Sequence, residues 1–151
     1  MTAQGHPDSA RIVVGVDGSR SSLHALAWAA RQAELIQGRL DVVATWQWPP
    51  SYGWAVPTPD DYDPETALRR EIEPGVDAVR AEHPAVEMEI RVIDGHPAPV
   101  LVEASNGAEL LVVGSRGHGE FVGMLIGSVS EYCAAHALCP VLVHRSTSDR
   151  G

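Results

Sequence analysis

Two glycine clusters carry the residues of this chain best suited to chemistry: Gly114-Ser115-Arg116-Gly117-His118-Gly119 and, after a spacer, Gly127-Ser128-Val129. The first stands directly behind Leu110-Leu111-Val112-Val113, an apolar run that reads as a buried strand. A strand that enters clustered glycines and then a helix start bares backbone N–H groups toward an anion, above all a phosphate. Gly114 and Gly117 allow positive φ and let a phosphate approach the backbone without a Cβ in the way. Gly127 and Ser128 are expected to open the last helix, whose first N–H groups have no intrahelical partner. An anion placed there gains about 0.3–1 kcal/mol from the helix dipole. Ser128 suits either the helix cap or a hydroxyl donated to a phosphate oxygen. Arg116 is the one cation of the loop. Asp17 is the second element. It reads either as a turn carboxylate in Asp17-Gly18-Ser19 or as a ligand-facing group that accepts from ribose hydroxyls or holds Mg²⁺ through water.

Composition removes several alternatives. All eleven basic residues are Arg. A P-loop of the Walker type needs a Lys to reach the β- and γ-phosphates, and Schiff-base chemistry needs one as well, so both are excluded. The seven histidines are scattered, none at HxxxH spacing and none beside a Ser or Cys in a triad-like arrangement, so neither zinc nor nucleophilic catalysis is indicated. Cys133 and Cys139 are six residues apart. On a single helix that is about 9 Å, beyond disulfide reach, and they read as small core residues. A net charge of −9 argues against nucleic acid and anionic membranes as partners. With no apolar run of about 18 residues and a polar N-terminal segment, a cytoplasmic protein without a membrane span is expected.

The elements that must position the glycine clusters follow from periodicity. Arg11 to Val16 is a β-rich run that ends in the Asp17 turn; Ser21 to Ile36 repeats apolar residues at helical spacing, with Gly38 expected to close the helix. Leu40 to Trp46 is a second strand. Trp46 to Tyr62 has no period and is rich in Pro and aromatics (Trp48, Tyr52, Trp54 and Tyr62 among them), which suits a lid, a partner surface or plain loop packing. Asp63 to Glu82 reads as a helix that Pro74-Gly75 should break or kink. Val86 to Ile93 alternates like an edge strand with one wet face. Pro97 to Ala104 is a short helix, Leu110 to Val113 a strand, Ser128 to Leu138 a helix and Val141 to Val143 a strand. The alternation predicts an α/β fold with a parallel, doubly wound sheet covered on both faces. Ligands of such sheets bind beyond the carboxyl ends of the strands where the strand order reverses, here between the first and fourth strands. Residues 11–146 are expected to form this single domain, between a flexible segment at 1–10 and a flexible tail at 147–151.

The spacing Gly-x2-Gly-x9-Gly-(Ser/Thr), filled by Gly114, Gly117, Gly127 and Ser128, resembles the motif of the ATP-binding branch of the universal stress protein family. Ile12 to Ser19, Gly95-His96-Pro97-Ala98 and Pro140 to Val143 resemble the same family in the right order, so the likeness covers nearly the whole chain. It implies a five-stranded Rossmann-like sheet of order 3-2-1-4-5 and dimerisation through the fifth strand, Val141 to Val143. It implies that Asp17 contacts ribose or Mg²⁺ and that Thr45 meets adenine through its backbone, flanked by Val16 and Val113. Gly114, Arg116, Gly117, Gly127, Ser128 and Val129 would hold ribose and phosphates; some members carry His where Arg116 stands.

Three readings follow. The first is a homodimeric, ATP-binding regulatory module of the stress response, with Mg²⁺ beside the nucleotide and no catalytic residues. The second is a dimeric interaction module that binds adenine nucleotide weakly or prefers a cyclic one. The third is a slow ATP-hydrolysing or nucleotidyl-transferring enzyme, which the single cation Arg116 equips poorly.

Overall fold

The computed structural model describes residues 10–47, 63–115 and 127–145. Most of the aromatic loop, Arg116, Gly117, His118 and both chain ends lie outside them. Nine elements follow in order: β1 (Arg11–Gly15), α1 (Arg20–Leu35), β2 (Arg39–Trp46), α2 (Pro64–Glu82), β3 (Glu87–Asp94), α3 (Pro97–Ala104), β4 (Leu110–Gly114), α4 (Ser128–His136) and β5 (Val141–His144). The five strands form one parallel sheet of order β3-β2-β1-β4-β5.

The strand sequences dictate how the sheet is covered. Because side chains alternate across a strand, Ile12, Val14 and Val16 join Leu40, Val42, Ala44 and Val112 on one face, with α1 and α2. Val13, Val43, Leu111 and Val113 point to the other face, with α3 and α4. The central strand β1 is buried at Ile12, Val13 and Val14 alike, which is why it reads as a continuous apolar run. α1 offers the sheet Ala25, Leu26, Ala29, Ala30 and Ala33, all fully buried. Alanine combines the strongest helix propensity with the smallest side chain, so this helix lies close against the strands.

Three local expectations need correction. Gly38 is not the left-handed residue that ends α1: Gln37 is, at φ 55°, while the Gly38 N–H donates to Ala33 O at 2.9 Å and the Gln37 N–H to Glu34 O at 3.2 Å. That is a Schellman closure. Glycine is required at 38 because a Cβ would run into the carbonyl oxygen of Ala10. Second, α2 continues through Pro74-Gly75. Pro74 lies on the exposed face, where the carbonyl it leaves unbonded can reach water, while Ile72 and Val76 on either side are buried. Gly75 faces α1, where a Cβ would come within 2.7 Å of a Leu23 methyl. Third, Cys139 lies beyond α4 rather than on it; Cys133 is buried in the core and both thiols are free.

At the amino end of the sheet Arg11 closes the lower α3 face. Its guanidinium donates to Ala104 O at 3.0 Å, to Asn106 O at 2.8 Å and to the carboxylate of Asp41 at 3.3 Å. Asp41 is buried on the face of β2 that α3 leaves partly open, and Arg91 reaches it only at 4.0 Å. Removing Arg11 would strip a buried charge of its near partner and two α3-end carbonyls of their donor. Arg11→Met is therefore expected to lower the unfolding free energy by about 2–3 kcal/mol, read from the urea midpoint at unchanged slope. A loss under about 0.5 kcal/mol would show that Arg91 and water replace it.

Candidate functional site

The carboxyl ends of β1, β2 and β4 open into a cleft of about 310 Å³, at the point where the chain winds outward from β1 on one side and β4 on the other. A concave site of that volume suits a small molecule. Its floor is the strand ends: Gly15 and Val16 from β1, Val43 and Thr45 from β2, Val113 and Gly114 from β4. Leu101 and Pro97 of α3 and Val129 and Ser130 of α4 close the sides.

The β1 side is built by a hydrogen-bonded turn. Asp17 accepts the Ser19 N–H on Oδ1 at 2.9 Å, and Gly18 takes the left-handed conformation at φ 84° that the turn requires. Ser19 then caps α1, its hydroxyl accepting the Ser22 N–H at 3.2 Å. The Ser22 hydroxyl donates to Ser19 O and accepts the Asp17 N–H. Asp17 thus has the turn role expected of it while also lining the cleft. Among the described lining residues it is the one ionisable group.

On the β4 side glycine serves for space rather than for conformation. Gly114 does not have positive φ. It is glycine because the first turn of α1 lies on it: a Cβ would stand 2.6 Å from the Ser21 hydroxyl and 3.1 Å from Ser21 backbone atoms. Beyond it, Ser115 donates its N–H to His144 O at 2.9 Å and accepts the Gly127 N–H at 2.7 Å, while the Ser130 hydroxyl donates to Gly114 O at 2.5 Å. These bonds seat α4 over the end of β4. Its N-cap is Gly127, with no side-chain cap, so Ser128 does not cap the helix but occupies its exposed first position. Among the described residues no side chain caps the opening N–H groups of α4, unlike those of α1 and α2, which Ser19 and Asp63 cap.

Of the residues expected from sequence, Val16, Asp17, Thr45, Val113, Gly114 and Val129 line the cleft together. Gly127 and Ser128 start the adjoining helix without lining it; Arg116 and Gly117 lie outside the described residues. Sequence reasoning named Gly95 in a family motif but not at the site, and did not single out Gln47 or Ser130. Gly95 carried a usable signal as a glycine after a strand: it stands at φ 146° and its N–H donates to Trp46 O at 2.8 Å, tying β2 to the start of α3. Burial pushes the Cys133 thiol up to about 11, so it is no nucleophile at neutral pH. Among the described residues no group of three or more His, Cys, Asp and Glu is assembled for a metal.

The family model for universal stress proteins matches residues 9–145. The chain belongs to the universal stress protein family. A universal stress protein of Mycobacterium tuberculosis is 36% identical over 151 residues, which span 99% of this chain and 53% of that protein. A second from the same species is 35% identical over 142 residues, 94% of this chain and 47% of the relative. The chain thus spans about half the length of the curated relatives it matches. Among solved structures, a universal stress protein in complex with cAMP aligns at TM-score 0.69 and 27% identity, over 91% of this chain and 97% of that one. A family protein from Burkholderia pseudomallei aligns at 0.61 and 27%, over 93% and 99%. The five-stranded Rossmann-like architecture is therefore that of the family.

The contact at Gly114 yields a test independent of any ligand. Gly114→Ala must turn the Ser21 hydroxyl aside and move the Ser21 backbone by a few tenths of an ångström, and is expected to cost about 1–3 kcal/mol in chemical denaturation. A neutral result would mean that the first turn of α1 retreats freely.

Proposed function

We propose that this universal stress protein domain binds ATP with Mg²⁺ in the switch-point cleft and acts as a homodimeric, cytoplasmic regulatory module. The observation that carries the reading is the convergence, in one cleft, of the uncapped start of α4, the carboxylate of Asp17 and the apolar ends of three strands. On this reading the α4 N–H groups, with Gly114, Gly117, Gly127, Ser128 and Val129, hold phosphates, and Arg116 pairs with them. Val16, Thr45 and Val113 enclose the adenine and ribose. Asp17 accepts from ribose hydroxyls, or shares Mg²⁺ with phosphate oxygens through water; the cation supplies the positive charge that a carboxylate beside a polyanion needs.

Regulation rather than turnover fits this composition. Hydrolysis needs a positioned water and a clamp of cations on the transferring phosphoryl group, and Arg116 is the only candidate cation of the loop. A second reading, preference for a cyclic nucleotide, is favoured by the 27% identical family structure that contains cAMP.

Titration calorimetry separates these readings. ATP with Mg²⁺ is expected to bind with Kd well below about 1 mM, weakened by chelation of the metal and abolished by Gly117→Leu with the melting temperature retained. No binding below about 1 mM would sink the ATP reading, and cAMP binding tighter than ATP would install the second.

The dimer rests on β5, the edge of the sheet, whose Val141, Leu142 and Val143 are all half-buried and whose outer backbone groups no described strand pairs. Such an edge calls for a cover. Sedimentation at micromolar concentration is expected to show a dimer, and a monomer there would overturn the assignment of this edge.

A further inference from the structure

The polar side chains around the cleft divide into those already used and those left over. Asp17, Ser22 and Ser130 are committed to the turn and to Gly114 O. Thr45 and Gln47 line the same cleft, and neither side chain makes a hydrogen bond or ion pair among the described residues. Their positions are not accidental. Val43, Thr45 and Gln47 are spaced two apart along β2 and its continuation, so they share one face. Along that face the wall grades from buried Val43 through half-buried Thr45 to exposed Gln47.

The order of strands assigns this wall a partner. The uncapped start of α4 stands over β4, Asp17 stands at the end of β1, and Thr45 and Gln47 stand at the end of β2, so the three run in sequence across the sheet. Neighbouring parallel strands are about 4.8 Å apart, so β4 and β2 lie about 10 Å from one another across β1. A nucleotide with its phosphate at α4 and its ribose over Asp17 therefore delivers its base to β2. Leu101 and Pro97 supply the apolar surface for the flat ring, and Gln47 lies where the ring's polar edge emerges.

We propose that Gln47, assisted by the Thr45 hydroxyl, is the base-reading residue of the site and selects a 6-aminopurine. The assignment rests on the nucleotide reading above and adds the group that distinguishes one base from another. A carboxamide sets an N–H donor beside a carbonyl acceptor. The matching edge offers an acceptor beside a donor, as N7 and the 6-amino group of adenine do. A 6-oxopurine shows two acceptors on that edge and would leave the carboxamide oxygen facing another oxygen. The Thr45 hydroxyl, able to donate or accept, adds one bond without imposing a choice.

The test compares ATP with purine riboside 5′-triphosphate, which lacks only the 6-amino group, on wild-type protein and on Gln47→Ala, by calorimetry with Mg²⁺ present. Gln47 is exposed, so the substitution leaves the core untouched. Wild type is expected to prefer ATP about three- to tenfold, the value of the one hydrogen bond that the 6-amino group adds in reach of water. Gln47→Ala is expected to lose that preference by weakening ATP, which gives up two bonds, more than purine riboside triphosphate, which gives up only the one to N7. Equal weakening of both ligands, or of neither, while wild type binds ATP, would overturn the role of Gln47 and leave the nucleotide reading standing. Wild-type protein that binds neither triphosphate would overturn both.

Discussion

The cleft exists because the first turn of α1 lies directly on the last residue of β4. Gly114 leaves no space for a Cβ beneath Ser21, and this contact brings together two elements that are almost a hundred residues apart in the chain. Everything at the switch point is referred to it. The carbonyl of Gly114 receives the Ser130 hydroxyl, which fixes the start of α4; the next residue, Ser115, bonds to β5 on one side and to Gly127 on the other. On the opposite side of Ser21, the Asp17-Gly18-Ser19 turn is held by the neighbouring Ser22. One tight backbone approach thus sets the distance between the carboxylate at the end of β1 and the opening N–H groups of α4.

The two faces of the sheet serve this arrangement differently. The α1 and α2 face is packed for stability, with an alanine-rich helix against β1 and a continuous apolar cluster from Ile12 to Val112. The α3 and α4 face is thinner. Its two helices are eight and nine residues long and bury few side chains, Leu101 of α3 and Ser130 and Cys133 of α4. They are held instead by polar bonds at their ends: Arg11 on the last carbonyls of α3, and the Ser105 hydroxyl accepting the Leu138 N–H at 2.9 Å. Short helices fastened at their C-terminal ends keep their N-termini over the cleft, which is where a small domain can use a helix dipole.

The alternating elements, the parallel doubly wound sheet and the location of the cleft were readable from the chain because they depend on features that alternate or repeat: Ile12 to Val14, Leu40 to Ala44 and Leu110 to Val113 are apolar runs spaced by helical periods, while the strand order followed only from the family resemblance. What could not be read depends on contacts between distant segments. Glycine at 114 looks the same in sequence whether it frees φ or admits a helix, and only the position of Ser21 decides. Gly38 and Gln37 were exchanged for the same reason, since the collision that excludes a side chain at 38 comes from Ala10 across the β1–β2 pairing. Pro74 is tolerated because it falls on the outer face of α2, a matter of helical phase set by Ile72 and Val76. Gln47 carried no signal of its own: a glutamine after a strand is ordinary until Ser22 and Ser130 prove to be occupied.

The charge of the chain sharpens what such a cleft must be. With net −9 and a carboxylate among its described lining residues, the site stands in a field that opposes polyanions. Long-range attraction therefore cannot be what gathers a nucleotide here; salt confines that repulsion to about 10 Å, and inside that distance only directed groups count. On the proposed reading the N–H groups of α4, the side chains of Thr45 and Gln47 and a cation at Asp17 are all of that kind. A site built from directed bonds would recognise its ligand by the order in which acceptors and donors meet it, on the proposed reading from phosphate over β4 to base over β2. On that reading affinity and identity come from the same few contacts, which suits a domain proposed to hold a nucleotide and report on it more than one that must collect it quickly and transform it.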